Sequence, residues 1–225
     1  MKKVKKGLIL TQMIMNARPH GFTSATVTGK RGAGKTAYAL KVAREIGKYD
    51  GLDEAGQWKF AIDSCIFSMD DIIKVLKSHD YKNRAKILIW DDAAVHGSSM
   101  NFFLKMKDVA ILKGLMDTVR TSTEALLLTC PDQGSLLKFL RRYGDFRITV
   151  HKHDDWERRA VGYQKFRFRH QAFRERKLWV DEFSCFIPDK YYHPYMKKRD
   201  RYKDELLKEL TQRKKEAERR RKKNG

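Results

Sequence analysis

The sequence predicts an α/β fold, in which a mainly parallel sheet is flanked by helices and is followed by a C-terminal β-hairpin and a basic helical tail. Short apolar or β-branched runs alternate with segments of helical period up to about residue 151, and this alternation is typical of a parallel sheet with helices on both faces. Beyond that point aromatic and basic residues predominate. We therefore expect four segments: a basic lead-in (1–20), an α/β core (21–151), a basic and aromatic hairpin (152–188) and a basic helical tail (189–225).

The predicted elements follow from hydrophobic periodicity. Strands are short apolar or β-branched runs, and helices have apolar residues three or four positions apart. The segment Ser68-Met69-Asp70-Asp71 has the form of a capping box, which marks the start of a helix. Predicted core strands are residues 24–28, 58–62, 86–90, 125–129 and 146–150, and the predicted hairpin strands are 162–169 and 177–186. Predicted core helices are residues 37–47, the segment after Ser68, 102–120 and 135–142.

A glycine-rich segment joins the first predicted strand to the first helix. Its sequence, G-K-R-G-A-G-K-T, fits the pattern G-x-x-x-x-G-K-[ST] at every position. Glycines let the backbone wrap around phosphate groups, and the following helix directs its positive end at the anion. Lys35 supplies an ammonium for the β- and γ-phosphates, and the Thr36 hydroxyl is a Mg²⁺ ligand. The segment predicts a P-loop formed by Gly29, Lys30, Arg31, Gly32, Ala33, Gly34, Lys35 and Thr36.

Two acids follow the apolar run Ile87-Leu88-Ile89-Trp90. Asp91 is the expected ligand of the Mg²⁺ shell, acting through water, and Asp92 is the candidate to orient or deprotonate the attacking water. The alternative is that these acids only form the polar end of a strand. Thr129 ends the next predicted strand, and we expect its hydroxyl to contact the γ-phosphate or the attacking water. No obvious N-K-x-D guanine motif is present, so we expect the nucleotide to be ATP.

Three arginines lie close to predicted edges of the sheet: Arg120, Arg141 and Arg142. Any of them could reach the γ-phosphate of a neighbouring chain and stabilise transition-state charge there, which would require a homo-oligomer. The alternative is that these arginines are solvated surface residues, as most are in a chain whose formal net charge is +21.

The order of these parts resembles AAA+-type ATPases, especially bacterial replication initiators and helicase loaders. The resemblance rests on the P-loop, on I-F-S-M-D-D-I-I-K-V-L-K, L-I-W-D-D and L-L-L-T, and on L-L-K-F-L-R-R-Y, where initiators carry an inter-subunit arginine. The whole chain, including W-V-D-E-F-S-C-F-I-P-D, is also similar to small ATPases of crenarchaeal viruses and plasmids. These resemblances imply a role in DNA replication or maintenance. A predicted hairpin replaces the helical lid of AAA+ modules, so a RecA-like or packaging-type ATPase stays open.

The charge of +21 indicates a polyanionic partner, and DNA is the expected one. In the predicted hairpin, alternation places the cations Lys165, Arg167 and Arg169 on one face, where they could follow a phosphate backbone, and Phe166 and Phe168 on the other, packed on the domain. The tail from residue 197 holds fourteen Lys/Arg against six Asp/Glu and includes Arg219, Arg220 and Arg221, which we expect to contact nucleic acid without sequence specificity. A solvated strand face and a solubilising tail are the alternatives.

The cysteine content and the hydropathy of the chain indicate its cellular location, and its motifs and charge indicate its function. Three widely spaced cysteines indicate a reducing cytoplasm, and no apolar run approaches the roughly 20 residues of a membrane helix. We expect a Mg²⁺-dependent ATPase that acts on DNA in replication initiation, helicase loading or remodelling. The alternatives are a DNA-packaging or translocating motor and a nucleotide-gated DNA-binding switch with little turnover. A small-molecule kinase is disfavoured, because it has no need of a basic hairpin and tail.

Overall fold

The computed structural model of the chain describes residues 7–93, 106–132, 134, 136, 139–140, 144–168 and 172–223. The chain forms two compact units, Met1–Phe186 and Ile187–Gly225. In the described part, the strands are β1 (Thr23–Thr28), β2 (Cys65–Ile66), β3 (Leu88–Trp90), β4 (Ala125–Thr129), β5 (Phe146–Lys152), β6 (Glu157–Phe168) and β7 (Ala172–Ser184). The helices are α1 (Ile9–Ala17), α2 (Lys35–Tyr49), α3 (Glu54–Asp63), α4 (Met69–Ser78), α5 (Met106–Thr118) and α6 (Asp189–Lys223).

The strands form one seven-stranded sheet in the order β2-β3-β4-β1-β5-β6-β7. The five strands from β2 to β5 are parallel, whereas β6 and β7 are antiparallel to their neighbours. All residues of β1 and β4 are buried, which explains their continuous runs of apolar and β-branched residues. The predicted α/β fold with a mainly parallel sheet is therefore confirmed. The hairpin of β6 and β7 continues this sheet through β5.

The predicted strand at residues 58–62 is wrong, because this segment belongs to α3. The Asp53 side chain accepts a hydrogen bond from the Gly56 N–H at 2.8 Å and so caps the helix. Trp58 and Ile62 then lie one turn apart on its buried face, and the Trp58 ring lies 5.0 Å from the Arg44 guanidinium of α2. The strand follows the helix instead, as the two-residue β2.

Other predicted elements have clear counterparts. The capping box forms at Ser68, whose hydroxyl accepts from the Asp71 N–H at 3.1 Å and whose own N–H reaches the Asp71 carboxylate at 3.4 Å. The predicted helix at 102–120 corresponds to α5 and a 3₁₀ turn at Val119–Thr121, with residues 102–105 outside the described part. Most of the predicted helix at 135–142 also lies outside the described residues.

A buried carboxylate fastens the amino-terminal helix to the sheet. Asp181 of β7 accepts hydrogen bonds from the Ile9 N–H at 2.8 Å and from the Tyr38 hydroxyl at 2.6 Å. Burial raises the pKa of Asp181, and the hydrogen bond from Tyr38 lowers it again in part. The lead-in thus contains a helix, α1, whose first turn is hydrogen-bonded to Asp181 of β7. The same carboxylate also binds Tyr38 of α2.

Close packing at Gly162 joins the hairpin to the core. A Cβ atom on Gly162 would lie 2.1 Å from the Trp179 ring, so only glycine permits this contact. The Trp179 ring meets the Phe146 ring edge-on at 5.3 Å. The pairing of β6 with β7 also shifts register between Gly162 and Tyr163, as expected of a β-bulge. The three strands β5, β6 and β7 therefore share one packed layer.

The second unit contains α6, a helix of 35 residues with Pro194 inside its first turns. Proline has no N–H to donate to the carbonyl of residue 190, so the second turn of this helix lacks one backbone hydrogen bond. The rings of Tyr192 and Tyr195 lie 5.9 Å apart on this helix. Among the helices that the structure describes, none has the length and apolar character needed to cross a membrane.

Replacing Tyr38 by phenylalanine should destabilise the protein by about 1–3 kcal/mol, because a buried acceptor loses its donor. The loss should be larger at pH 7.5 than at pH 4. The Tyr38 hydroxyl lowers the pKa of Asp181, so its removal raises that pKa further and penalises the ionised form. A carboxyl group whose pKa is raised by folding stabilises the folded protein fully at a pH below its unfolded pKa of about 3.9. This stabilisation is lost as the pH rises through the pKa that the group has in the folded protein. Urea unfolding of both proteins at both pH values measures the difference.

The matched control is Tyr163→Phe, which removes a phenol from a half-buried ring that packs on Arg147. This variant should show a small loss of stability with no change between the two pH values. A Tyr38→Phe loss that is equal at pH 4 and pH 7.5 would show that Asp181 does not ionise in the folded protein.

Candidate active site

The glycine-rich segment forms a loop between β1 and the first residue of α2, Lys35. A Cβ atom on Gly29 would lie 2.5 Å from the carbonyl oxygen of Val150, so the loop passes β5 at a distance that only glycine allows. Gly34 is the N-cap residue of α2. The predicted context of strand, loop and helix is thereby confirmed, and the first N–H groups of α2 face the loop.

The Lys35 side chain folds back over the loop. Its ammonium donates to the carbonyl oxygen of Gly29 at 3.0 Å and to that of Lys30 at 3.1 Å. These contacts place a cation beside the glycine-rich backbone, where the loop N–H groups and the helix dipole also favour negative charge. The arrangement is suited to a polyphosphate.

Three side chains from three elements meet at one carboxylate. Thr36 of α2 donates its hydroxyl to an oxygen of Asp91 at 2.8 Å, and Thr129 of β4 donates to the same oxygen at 2.5 Å. Asp91 follows β3 directly and is fully buried. The predicted acid at the end of the β3 strand therefore lies in contact with the phosphate loop. The Thr129 hydroxyl donates to this acid, which makes Thr129 a positioning residue.

Asp92 is the more accessible of the two acids. Its backbone lies in the left-handed region, with φ at 49°, a conformation that aspartate adopts more readily than most residues. Its N–H donates to the Thr129 hydroxyl at 3.0 Å, and the N–H of Ala93 donates to the Thr129 carbonyl at 2.9 Å. The turn after β3 is thus fixed to β4, so that one acid is buried and the next is half-buried.

The residues present fit a Mg²⁺ ion. The proton of the Thr36 hydroxyl is directed to Asp91, so the oxygen lone pairs remain available to a cation. Mg²⁺ prefers oxygen ligands, keeps several waters and takes few ligands from the protein when a phosphate supplies others. Thr36 would ligate the ion directly, and Asp91 would hold its water shell.

Cys130 follows Thr129, and its thiol is a poor nucleophile at neutral pH. Burial raises the pKa of its thiol to about 12, so the nucleophilic thiolate is absent at neutral pH. All three cysteines, Cys65, Cys130 and Cys185, are free thiols, and the first two are buried.

Of the three predicted arginines, Arg120 alone lies in the described part of the chain. Arg120 lies in the 3₁₀ turn before the amino end of β4, whereas the phosphate loop follows the carboxyl end of the neighbouring strand β1. Arg141 and Arg142 lie outside the described residues. A different arginine, Arg158 of β6, is buried against the loop, with its Cγ 3.3 Å from the position of a Cβ atom on Gly34. The sequence carries no motif for it, because the contact depends on how β6 pairs with β5.

The predicted faces of the hairpin need correction. Lys165 is half-buried and burial lowers its pKa, whereas the Phe166 side chain is 40% exposed. The expected packing of Phe166 on the domain is therefore wrong, because its side of β6 is uncovered while the Lys165 side faces Asp145 and Cys130. Arg167 and Phe168 lie on β6, where only their backbone is described, and Arg169 lies outside the described residues.

Replacing Thr129 by valine should remove the donor to Asp91 and the acceptor for the Asp92 N–H at nearly constant volume. A buried carboxylate that loses a donor costs about 1–3 kcal/mol, so urea unfolding should show a loss of this size. Thr129→Ser is the matched control, because it keeps the hydroxyl and should retain most of the stability. Equal losses in both variants would mean that the methyl group, and not the hydroxyl, supports the site.

No family model matches this chain. It is 29% identical over 223 residues to the "uncharacterized protein B-251" of Sulfolobus spindle-shape virus 1, covering 94% of this chain and 88% of that protein. It is 24% identical over 161 residues to the "uncharacterized protein ORF286" of Acidianus two-tailed virus, covering 69% of this chain and about half (53%) of that protein. These relatives confirm the resemblance to proteins of crenarchaeal viruses.

Among solved structures, the chain is similar to the genome packaging NTPase B204 of Sulfolobus turreted icosahedral virus 2 in complex with ATP-gammaS. The identity is 13%, the TM-score is 0.39, and the match covers 69% of this chain and 97% of that one. The fold itself is decided by the chain's own geometry: the parallel order β2-β3-β4-β1-β5, the loop between β1 and α2, and the acid at the end of β3. This chain has the fold of a P-loop NTPase.

Proposed function

We propose that the protein binds ATP with Mg²⁺, hydrolyses it, and acts on DNA. The proposed binding and hydrolysis of ATP is supported mainly by one observation. Thr36 and Thr129 both contact Asp91, and the Lys35 ammonium lies beside the same loop. This arrangement unites a phosphate loop, a metal-binding hydroxyl and a buried acid, and an accessible second acid follows immediately.

Each residue has a defined task in the proposed hydrolysis. The loop N–H groups and Lys35 bind the β- and γ-phosphates, and Thr36 and Asp91 hold Mg²⁺, which supplies charge neutralisation when bound. Asp92 orients a water and accepts its proton as the water oxygen bonds to the γ-phosphorus. The bond from that phosphorus to the β–γ bridging oxygen breaks, and ADP and inorganic phosphate leave.

Asp92→Asn should leave ATP affinity nearly unchanged and lower kcat by about 10²- to 10⁴-fold, the usual contribution of a general base. The substitution removes a proton acceptor without removing a phosphate or metal contact. Phosphate release under saturating ATP, with calorimetric titration of a non-hydrolysable analogue, measures the two quantities separately.

Lys35→Ala is the comparison variant, because it should abolish tight nucleotide binding. Asp91→Asn should weaken Mg²⁺-dependent binding. Normal turnover by Asp92→Asn together with impaired turnover by Asp91→Asn would reverse the proposed roles of the two acids. Unchanged nucleotide affinity in Lys35→Ala would contradict the proposal as a whole.

The proposed DNA partner follows from charge. The chain carries a formal net charge of +21, and β7 presents exposed cations at Arg174, Arg176 and Lys177. The carboxyl-terminal part of α6 carries the run Arg219-Arg220-Arg221. Such surfaces bind phosphate backbones without reading bases, so the contact would be non-specific. The proposed roles are replication initiation, helicase loading or remodelling in a reducing cytoplasm, where three thiols stay free.

The proposal includes self-association. The site holds a phosphate loop and two acids, and Arg120, Arg141 and Arg142 are the proposed arginines that a neighbouring chain would contribute. A packaging or translocating motor would use the same site with a different DNA path. A nucleotide-gated switch would bind ATP and DNA with little turnover, and turnover measured with and without DNA distinguishes it from the ATPase.

The triple variant Arg219→Gln, Arg220→Gln and Arg221→Gln should bind DNA more weakly and to a similar extent for unrelated sequences. The slope of log affinity against log salt should flatten by about 0.9 for each duplex-phosphate contact that is lost. Fluorescence anisotropy with two unrelated duplexes between 50 and 200 mM salt measures both quantities.

The matched control removes the same charge elsewhere, at the exposed residues Lys48, Lys59 and Lys82. Its salt slope should stay close to that of the unmodified protein. If both triple variants flatten the slope equally, the tail acts only through net charge and makes no contact of its own.

A further inference from the structure

Two large aromatic side chains are exposed at the end of the sheet that holds the phosphate loop. Trp156 is 61% exposed and Phe186 is 51% exposed, and their rings meet edge-on at 5.8 Å. Exposed tryptophan is unusual, because its burial contributes so much to stability. The pair is held in place by the hydrogen bond from the Cys185 N–H to the Trp156 carbonyl at 2.7 Å.

Residues close in sequence to this aromatic pair lie against the phosphate loop. A Cβ atom on Gly34 would lie 3.5 Å from the Cβ of Cys185 and 3.3 Å from the Cγ of Arg158. Cys185 precedes Phe186, and Arg158 is two residues from Trp156. Arg158 and Cys185 thus bring the start of β6 and the segment after β7, which carry the two aromatic residues, next to the phosphate loop.

The turn that carries Trp156 is held by several hydrogen bonds. The Asp154 carboxylate accepts hydrogen bonds from the N–H groups of Trp156 at 2.9 Å and Glu157 at 2.5 Å. The buried Arg158 guanidinium donates to the carbonyl oxygens of Asp154, Asp155 and Glu157. Its Nε is buried, has no hydrogen-bond partner among the described residues, and lies 3.6 Å from the position of a Cβ atom on Gly34. Arg158 is a positioning residue for the turn.

The order of strands decides which part of a nucleotide reaches the pair. Asp91 follows β3 and Thr129 belongs to β4, and both of these strands lie on one side of β1 in the sheet. Strands β5, β6 and β7 lie on the other side of β1. A triphosphate in the loop would have its γ-phosphate on the side of the acids. Its nucleoside would then extend to the other side of β1, where Trp156 and Phe186 lie.

We infer that Trp156 and Phe186 form the stacking platform for the base of the bound nucleotide. The inference rests on the proposed nucleotide binding and assigns its base subsite. Aromatic stacking tolerates every base, because each has a π-face. The platform therefore accepts nucleoside triphosphates without selecting the base, with ATP and GTP bound within about ten-fold of each other.

The test uses the tryptophan itself as the probe. The other tryptophans, Trp58, Trp90 and Trp179, are at most 6% exposed, so solvent-exposed emission comes from Trp156. ATP and GTP with Mg²⁺ should quench this emission in the full-length protein. Inorganic tripolyphosphate, which has no base, should bind by calorimetry and leave the emission unchanged.

Trp156→Ala should weaken ATP and GTP binding by about 5- to 100-fold and leave tripolyphosphate affinity unchanged. Trp156→Phe should restore most of the affinity, since it keeps a stacking ring. Tyr81→Ala is the matched control, because it removes an aromatic that is 73% exposed in the segment before β3, at the opposite end of the sheet. This variant should bind all three ligands normally.

The outcomes separate the two proposals. If the unmodified protein binds neither ATP nor tripolyphosphate, the proposed nucleotide binding itself is overturned. Normal tripolyphosphate and ATP affinity in Trp156→Ala would overturn the base platform alone. Weakened binding of single-stranded DNA by Trp156→Ala, with ATP affinity intact, would assign the pair to DNA and also overturn the inference. A preference for ATP over GTP above about 100-fold would show that edge recognition, and not stacking, selects the base.

Discussion

The candidate site depends on one buried carboxylate, that of Asp91. A single oxygen receives the hydroxyls of Thr36 and Thr129, at 2.8 and 2.5 Å, so the phosphate loop, the end of β3 and the end of β4 are joined at one atom. A buried carboxylate without donors is strongly unfavourable. The two hydroxyls therefore permit the burial of Asp91, and Thr129 in turn fixes the backbone of Asp92. The separation of a buried acid from an accessible one follows from this contact.

The other side of β1 is organised by the hairpin. Gly29 passes the carbonyl of Val150 too closely for any side chain, and Arg158 lies against Gly34, so the loop contacts β5 at its start and β6 at its end. Farther along β7, Asp181 holds both α1 and the Tyr38 hydroxyl of α2. The phosphate loop and α2 are thus supported by β5, β6 and β7. The two acids lie on the other side of β1, after β3.

The sequence alone was sufficient to predict those features that depend on residues close together in the chain. The P-loop motif, the capping box at Ser68 and the strand at 125–129 depend on neighbouring residues or on burial on both faces. The segment 58–62 has an apolar content that suits a strand or a helix, and the Asp53 cap decides between them. Alternation correctly separates Lys165 from Phe166, but the covered face is set by the distant residues Asp145 and Cys130. Arg158 and Trp156 carry no motif, since their position follows from sheet register.

The hairpin also provides a continuous physical connection from the candidate site to a basic surface. β6 has 12 residues, so it spans roughly 36 Å at about 3.3 Å per residue. Near its start, Arg158 packs against Gly34, and toward its end it pairs with the exposed cations Arg174 and Arg176 of β7. From Arg158 to Gln164 the strand is hydrogen-bonded on both edges, to β5 and to β7. The turn beside Gly34 and the exposed cations of β7 therefore lie along one strand that is hydrogen-bonded to its neighbours.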